Sequence, residues 1–309
     1  MLKMMIKKIF YQLKPIIPRY IQILLRRHLV KKQRVKFQNI WPIDYSANAQ
    51  PENWKGWPDN KNFAVVLTHD VEKKQGQGKC KMLAELEEKH GFRSSFNFVP
   101  ERYPDLPQLR EYLINKGFEV GVHGLNHDGN LFKTERIFQE RALKINKYIN
   151  EWDALGFRAP AMHHNFEWIH NLNISYDLSS FDTDPFEPQP DGVGTIFPFW
   201  ISNHSEKCGY VELPYTLVQD FTLFVLMNEK DIRYWKEKID WIAKHGGMVL
   251  VNVHPDYMNF NNEKLKIEKF PAEYYEDLLK YLKDKYHNQY WNALPKDVAY
   301  FWYRNFVIK

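Results

Sequence analysis

Two histidines, His123 and His127, stand four residues apart in the stretch 118–129, FEVGVHGLNHDG, just after a short apolar run. Phe118, Val120 and Val122 alternate with Glu119 and Gly121, which reads as a strand entering a loop or a first helical turn. On a helical turn this spacing puts both imidazoles on one face, close enough to share a cation. Two hydrogen-bonded histidines at a polar strand end fit the same pattern, so the choice rests on what else the chain supplies.

Three further segments supply candidates. Residues 67–72 read LTHDVE, with Val65, Val66 and Leu67 before the polar residues. Asp70 and Glu72 are two apart, so in an extended segment they share a side, where one could bind a metal and the other hold a proton. Solvated acids at a strand end look the same from sequence. His69 lies on the opposite side and is read as structural. Arg158, in FRAPA, could pair with Asp70 and keep it ionised, or serve as a plain surface ion-pair partner. Backbone N–H groups just past Pro160 could face a developing oxyanion. His254 follows the apolar run 248–253 and precedes Pro255, a position suited to a general acid.

The elements that must position these residues follow a regular alternation from Phe63. The strand FAVVLTHDV is followed by a helix near 79–90, the strand SSFNFVP and a helix near 106–116. After the histidine segment comes a helix near 134–152 with Thr134 as its cap. Then follow GFRAPA, ISYDLSS, the strand-like VELPY, a helix near 230–244 stopped by Gly246 and Gly247, and the run MVLVNVHP. A helix near 272–285 and an aromatic tail close the chain. The residues of interest all fall where apolar runs stop. In a parallel α/β barrel such stops gather at the carboxyl end of the strands, where barrel enzymes do their chemistry.

A chain of 309 residues with 44% hydrophobic and 26% charged residues describes a globular protein with a sizeable core. The aromatic content of 16% suits a wide aromatic core or sugar handling. Two distant cysteines, Cys80 and Cys208, argue against a disulfide framework or a thiolate zinc site. No run reaches the roughly 18 apolar residues needed to cross a bilayer. Lys14, Pro15, Pro18 and Arg19 break up any signal-peptide core, so a cytoplasmic location is expected, with the inner face of the membrane as one place within it.

The net charge of +5 is concentrated at the N-terminus, where residues 3–36 are densely basic and contain no acid. Residues 1–37 form a basic, partly amphipathic arm, broken at Pro15 and Pro18. It reads either as a helix pair on an anionic membrane surface or as a helix packed on the barrel with a solvated basic face. Residues 41–62 look like an irregular connector, which divides the chain into an arm and connector, 1–62, and a barrel, 63–309. The segment 186–210, with Phe197, Phe199 and Trp200, reads as a loop or hairpin over the site or as a flap packed on the barrel.

The ordered set LTHDVE, VHGLNH, FRAP, SFDTDPF and LVNVHP resembles the five motifs of the polysaccharide deacetylase (NodB homology, carbohydrate esterase family 4) superfamily, over roughly residues 63–260. The resemblance implies a distorted (β/α)7-type barrel and a divalent metal, usually zinc, that serves hydrolysis of N- or O-acetyl groups on sugars. By position it implies Asp70 as base, His123 and His127 as metal ligands, Arg158 as the residue orienting the base, and His254 as acid. Asp184, or in second place Asp182, would match the carboxylate that tunes the acid. The usual metal-binding Asp directly after the base is Val71 here, and Glu72 satisfies a variant D-x-D or D-x-E pattern. Gly124 replaces the usual Ser or Thr after the first histidine, Ala161 stands where a Tyr is frequent, and Pro185 and Phe186 replace a Trp.

The function implied is deacetylation of an acetylated sugar or glycan precursor in surface-polysaccharide assembly. A binding protein that kept the fold without turnover and a membrane-surface scaffold are the competing classes. Nucleic-acid binding is disfavoured, because the basic residues form one terminal arm with no accompanying motif.

Overall fold

The computed structural model describes residues 17–189, 191–203, 205–261 and 265–308. Its axis is β1 (Phe63–Val71), buried along its whole length. Complete burial of both faces is what a strand inside a parallel sheet requires, and it explains the unbroken apolar start of the sequence run. Around β1 run β2 (Ser95–Phe98), β3 (Glu119–His123), β4 (Gly156–Arg158) and β5 (Tyr176–Asp177), each parallel to its neighbour. Next come the hairpin β6 (Phe199–Asn203) and β7 (Ser205–Glu212), and then β8 (Met248–Asn252), which pairs with β1 on its other side. The result is a strongly curled, mostly parallel sheet forming a half-barrel, as expected of the distorted (β/α) barrel. The gap between β7 and β8 is bridged where Leu217 pairs with Val251. There the Thr216 hydroxyl donates to Met248 O (2.9 Å) and accepts from Leu250 N (3.0 Å).

The helices form where the amphipathic stretches lie. Of these, α1 (Arg19–Lys36) is the described part of the basic arm, and residues 1–16 of that arm lie outside the described residues. Then come α2 (Cys80–His90), α3 (Pro107–Asn115) and α4 (Glu135–Glu151). Thr134 caps α4 by accepting from Ile137 N at 3.3 Å, satisfying one of the orphan donors of its first turn. The helix α5 (Arg233–His245) ends at Gly246, whose φ of 73° is the left-handed conformation that stops a helix with little strain. It is followed by α6 (Glu273–Lys285).

Three segments are more definite in the structure than in the sequence. The closing aromatic tail is structured: residues Tyr290–Asn292 form a strand parallel to β1, and α7 (Pro295–Phe306) follows with Pro295 at its first turn. The connector is built into the barrel core, since Trp41, Ile43 and Trp57 are buried in it and Trp54 packs on Trp302 at 5.8 Å. Of the two readings of the 186–210 segment, Phe197 and Trp200 follow the packed flap, with Phe197 on Trp54 (5.3 Å) and Trp200 on Tyr303 (5.4 Å), whereas Phe186 lines the candidate cavity.

Candidate metal and catalytic site

The carboxyl ends of β1, β3 and β8 deliver Asp70, His123 and His254 to one cavity of about 410 Å³, which Glu72, His127, Ala161, Phe186, Phe221 and Tyr257 also line, while Arg158, at the end of β4, is buried behind Asp70. His123 is the last residue of β3, but His127 sits in a loop with φ 55°, so the pair is not on a helical turn. The rings converge, with centroids 5.0 Å apart, because the chain reverses after His123 through Gly124 at φ 62°. A Cβ on Gly124 would come within 2.5 Å of Pro160 Cγ, which accounts for glycine in place of Ser or Thr.

Glu72, His123 and His127 each offer a ligand atom, and the three atoms lie within 4.8 Å of one another. His123 Nδ1 is 3.1 Å from Arg158 O, which fixes the ring and turns Nε2 into the cavity. That Nε2 is buried without a hydrogen-bond partner, and so is His127 Nε2, although it lies 3.1 Å from Glu72 Oε1. Two buried imidazole nitrogens and a carboxylate oxygen gathered this closely form a donor set suited to a borderline-soft divalent cation. Burial lowers the His123 pKa to about 4, so the ring is neutral and its lone pair is available at physiological pH. Burial would raise Glu72, but His127, His254 and the Tyr257 hydroxyl hold it well below the usual carboxylate range. Tyr257 OH donates to Glu72 Oε2 (2.7 Å), and Glu72 N donates to Asp256 Oδ2 (2.8 Å).

Asp70 is ionised for a similar reason. Burial alone would raise its pKa, but Arg158, His123, His254 and Asn97 together hold it well below the ordinary value. Arg158 NH1 (3.1 Å) and Asn97 Nδ2 (3.0 Å) donate to Oδ1, and Asn252 Nδ2 (2.8 Å) donates to Oδ2. The arginine is itself fixed by Leu178 O (3.0 Å) and Thr68 Oγ1 (2.9 Å). Oδ2 then looks across the cavity, 3.8 Å from His123 Nε2 and 4.0 Å from His254 Nε2. His69 points the other way, with Nε2 2.8 Å from Glu87 Oε1 in the buried core.

The partner of His254 differs from the sequence expectation. Asp220 receives both the His254 backbone N–H (2.8 Å) and the Nδ1 contact (2.7 Å). Burial would lower the imidazole pKa, but the Asp220 charge and hydrogen bond, with Glu72 and Asp70, raise it to about 10. Asp184 does not reach His254. Its Oδ1 accepts from Phe186 N (2.9 Å) and its Oδ2 contacts Tyr215 OH (2.9 Å), which also lies 2.7 Å from Glu187 Oε1. One hydroxyl hydrogen serves only one of these carboxyls, so the other contact needs a carboxyl proton. Burial supplies the condition by raising Asp184 to about 6 and Glu187 to about 7. Asp184 therefore props the Phe186 wall of the cavity, and Asp182 is engaged by Lys238 at 2.6 Å.

Sequence reasoning missed Asn97, Asp220, Asn252, Asp256 and Tyr257. Asn252 interrupts the apolar run that led to His254, and Asp220 comes after the apolar Leu217 and Val218 with one residue between, so a weaker form of the same signal was present. Asp256 leaves a trace at Gly76, where any Cβ would collide with its carboxylate.

No family profile matches the sequence, and no curated protein sequence does. Solved structures match in shape. A protein of Mycobacterium smegmatis assigned as a polysaccharide deacetylase is 18% identical, over 82% of this chain and 94% of that one, with a TM-score of 0.60. A similarly assigned protein of Pseudomonas aeruginosa PAO1 is 15% identical, over 84% and 97%, at 0.61. The PuuE allantoinase is 15% identical, over 87% and 99%, at 0.64. At such identities the likeness is one of fold, so the chain has the distorted barrel found in structures assigned as polysaccharide deacetylases and in an allantoinase.

Proposed function

We propose that the protein is a metal-dependent deacetylase that hydrolyses an N- or O-acetyl group on a sugar of a surface-polysaccharide precursor. The observation that carries this reading is the meeting of Glu72, His123 and His127 with Asp70 and His254 around one cavity. Glu72, two residues after the base, takes the place of the acidic ligand, and its 3.1 Å approach to His127 supports that assignment over an inactive binding protein.

A divalent cation held by these three residues, zinc being the best match to the donors, would supply Lewis acidity and lower the pKa of a bound water. Asp70 Oδ2 faces the cavity as the acceptor for the proton of an attacking water. Arg158, Asn97 and Asn252 fix its orientation and keep it unprotonated until that moment. The backbone at Ala161, with φ 57°, turns along the cavity wall. Met162 N and His163 N are used within this turn, by Ala159 O and Pro160 O. The Ala161 N–H is thus the backbone donor suited to a developing oxyanion. His254, kept cationic by Asp220, gives its Nε2 proton to the departing amine or alcohol, which is a poor leaving group as an anion.

Acetate release from acetylated sugars tests the reading. His254→Ala should abolish turnover while metal content stays unchanged, and His123→Ala should lose both. A His254→Ala protein that releases acetate at the normal rate, or a wild type that consumes allantoin and no acetylated sugar, would overturn it.

A further inference from the structure

The outward face of α1 is apolar where a solvated helix would be polar. Its inward stripe is Ile23, Arg27, Val30 and Arg34, spaced four, three and four residues apart. These residues bind the helix to the barrel: Ile23 and Val30 are buried. Arg27 donates to Val225 O (2.8 Å) and Ile267 O (3.2 Å), and Arg34 pairs with Glu229 at 2.6 Å. On the opposite side Ile21, Leu25 and Leu29, and on the adjoining flank Tyr20 and Leu24, are between 41% and 58% exposed. Among the described residues, six of the fifteen large apolar side chains left exposed lie on this 18-residue helix, the sixth being Val35. A contiguous exposed patch of this kind marks an interaction surface.

Charge identifies the partner. The chain has no acidic residue before Asp44, while Lys32 and Lys36 follow the apolar cluster along the outward side, exposed Lys31 lies on the same flank as Leu24, and Lys3, Lys7, Lys8 and Lys14 precede the helix in sequence. Apolar side chains flanked by cations and free of acids suit a surface that is negative outside and hydrocarbon beneath. No described helix is long and apolar enough to cross a membrane, so α1 would lie along the surface. The helix also borders the candidate site. Arg19 and Arg26 line the same cavity as the histidines, with their guanidiniums 5.6 Å and 4.9 Å from the Phe221 ring.

We propose that α1 docks the protein on an anionic lipid bilayer through Tyr20, Ile21, Leu24, Leu25 and Leu29, with the mouth of the cavity beside the lipid headgroups. The docking surface is independent of the hydrolytic reading and can be tested without a substrate. The full-length protein is sedimented with vesicles of phosphatidylglycerol and phosphatidylcholine, and with phosphatidylcholine alone, and its self-association is followed by sedimentation velocity. The wild type should partition onto the anionic vesicles and remain in solution with the neutral ones. Leu24→Glu/Leu25→Glu should lower the partition coefficient at least tenfold, and Lys31→Glu/Lys32→Glu should lower it at low salt. Circular dichroism and metal content should be unchanged in both variants. A wild type that ignores anionic vesicles, or a Leu24→Glu/Leu25→Glu variant that binds them equally well, would overturn the proposal. So would a wild-type dimer that this variant dissociates with no vesicle binding in either, because a second copy would then cover the face.

Discussion

Replacing Asp220 by Asn should move the alkaline limit of activity to lower pH. In the wild type His254 is buried, which disfavours the imidazolium, yet its pKa is raised from 6.5 to about 10, and Asp220 is the largest contribution in that direction. The net bias toward the charged ring is on the order of 5 kcal/mol at about 1.4 kcal/mol per pKa unit. An amide at position 220 removes the largest raising charge and leaves the penalty of burial, so the His254 pKa should fall toward its ordinary value of 6.5. At pH 8 only about 3% of His254 would then carry the proton it must donate, against nearly all of it in the wild type. The expected result is a loss of about 30-fold in kcat/KM at pH 8 and recovery of most of the activity near pH 6, with metal content unchanged. The assay is acetate release across a pH series at constant ionic strength. Identical pH profiles for Asp220→Asn and wild type would refute the assignment of Asp220 and His254 as a coupled acid.

Tyr257→Phe removes the hydroxyl that donates to Glu72 Oε2. Metal affinity, measured by chelator competition, should fall roughly 10- to 100-fold, the usual cost of losing a partner of a ligand, and an unchanged affinity would count against Glu72 as a ligand. Gly124→Ala puts a Cβ within 2.5 Å of Pro160 at φ 62°. It should destabilise the protein by about 1–3 kcal/mol in urea unfolding and weaken the metal site with it. Glu119, far from the metal ligands, is raised by burial from 4.5 to about 7, with the Tyr176 hydroxyl on one oxygen. The folded state binds this proton more tightly than the unfolded state, so its stabilising effect is full below pH 4.5 and is lost as pH rises through about 7. Glu119→Gln should remove up to about 3 kcal/mol of that decline from a stability–pH curve. An equally steep decline in the variant would contradict the assignment.

The barrel was legible because its strands are short apolar runs ending in polar residues and its helices carry local stop signals. Thr134 and Gly246 act at the ends expected of them, since caps depend on neighbours a few residues away. The tail was read less well: α7 starts with Leu294 as its cap and relies on Pro295 and Asp297, a weaker signal than Ser or Thr. The histidine segment read as a strand entering a loop or a first helical turn, and it is a strand followed by a left-handed turn. Spacing constrains which side chains can meet, and a turn at Gly124 meets that constraint as well as a helix does. Asp220 escaped notice because its partner is 34 residues away and the two meet only through the fold. Asp184 sat in the expected motif, yet the backbone there directs it to Tyr215 and Phe186 N. Side-chain direction in the irregular stretch after a strand depends on the local backbone, which motif order does not encode.

The most direct test of the site is a crystal of zinc-reconstituted protein measured at the zinc absorption edge, with bulk metal analysis of the same sample. The expected result is one zinc ion per chain, with its anomalous peak between His123 Nε2, His127 Nε2 and a Glu72 carboxylate oxygen, and no such peak in His123→Ala. A stoichiometric ion bound elsewhere, or no ion at saturating zinc with the three side chains in their present positions, would contradict the metal site and the hydrolytic chemistry built on it.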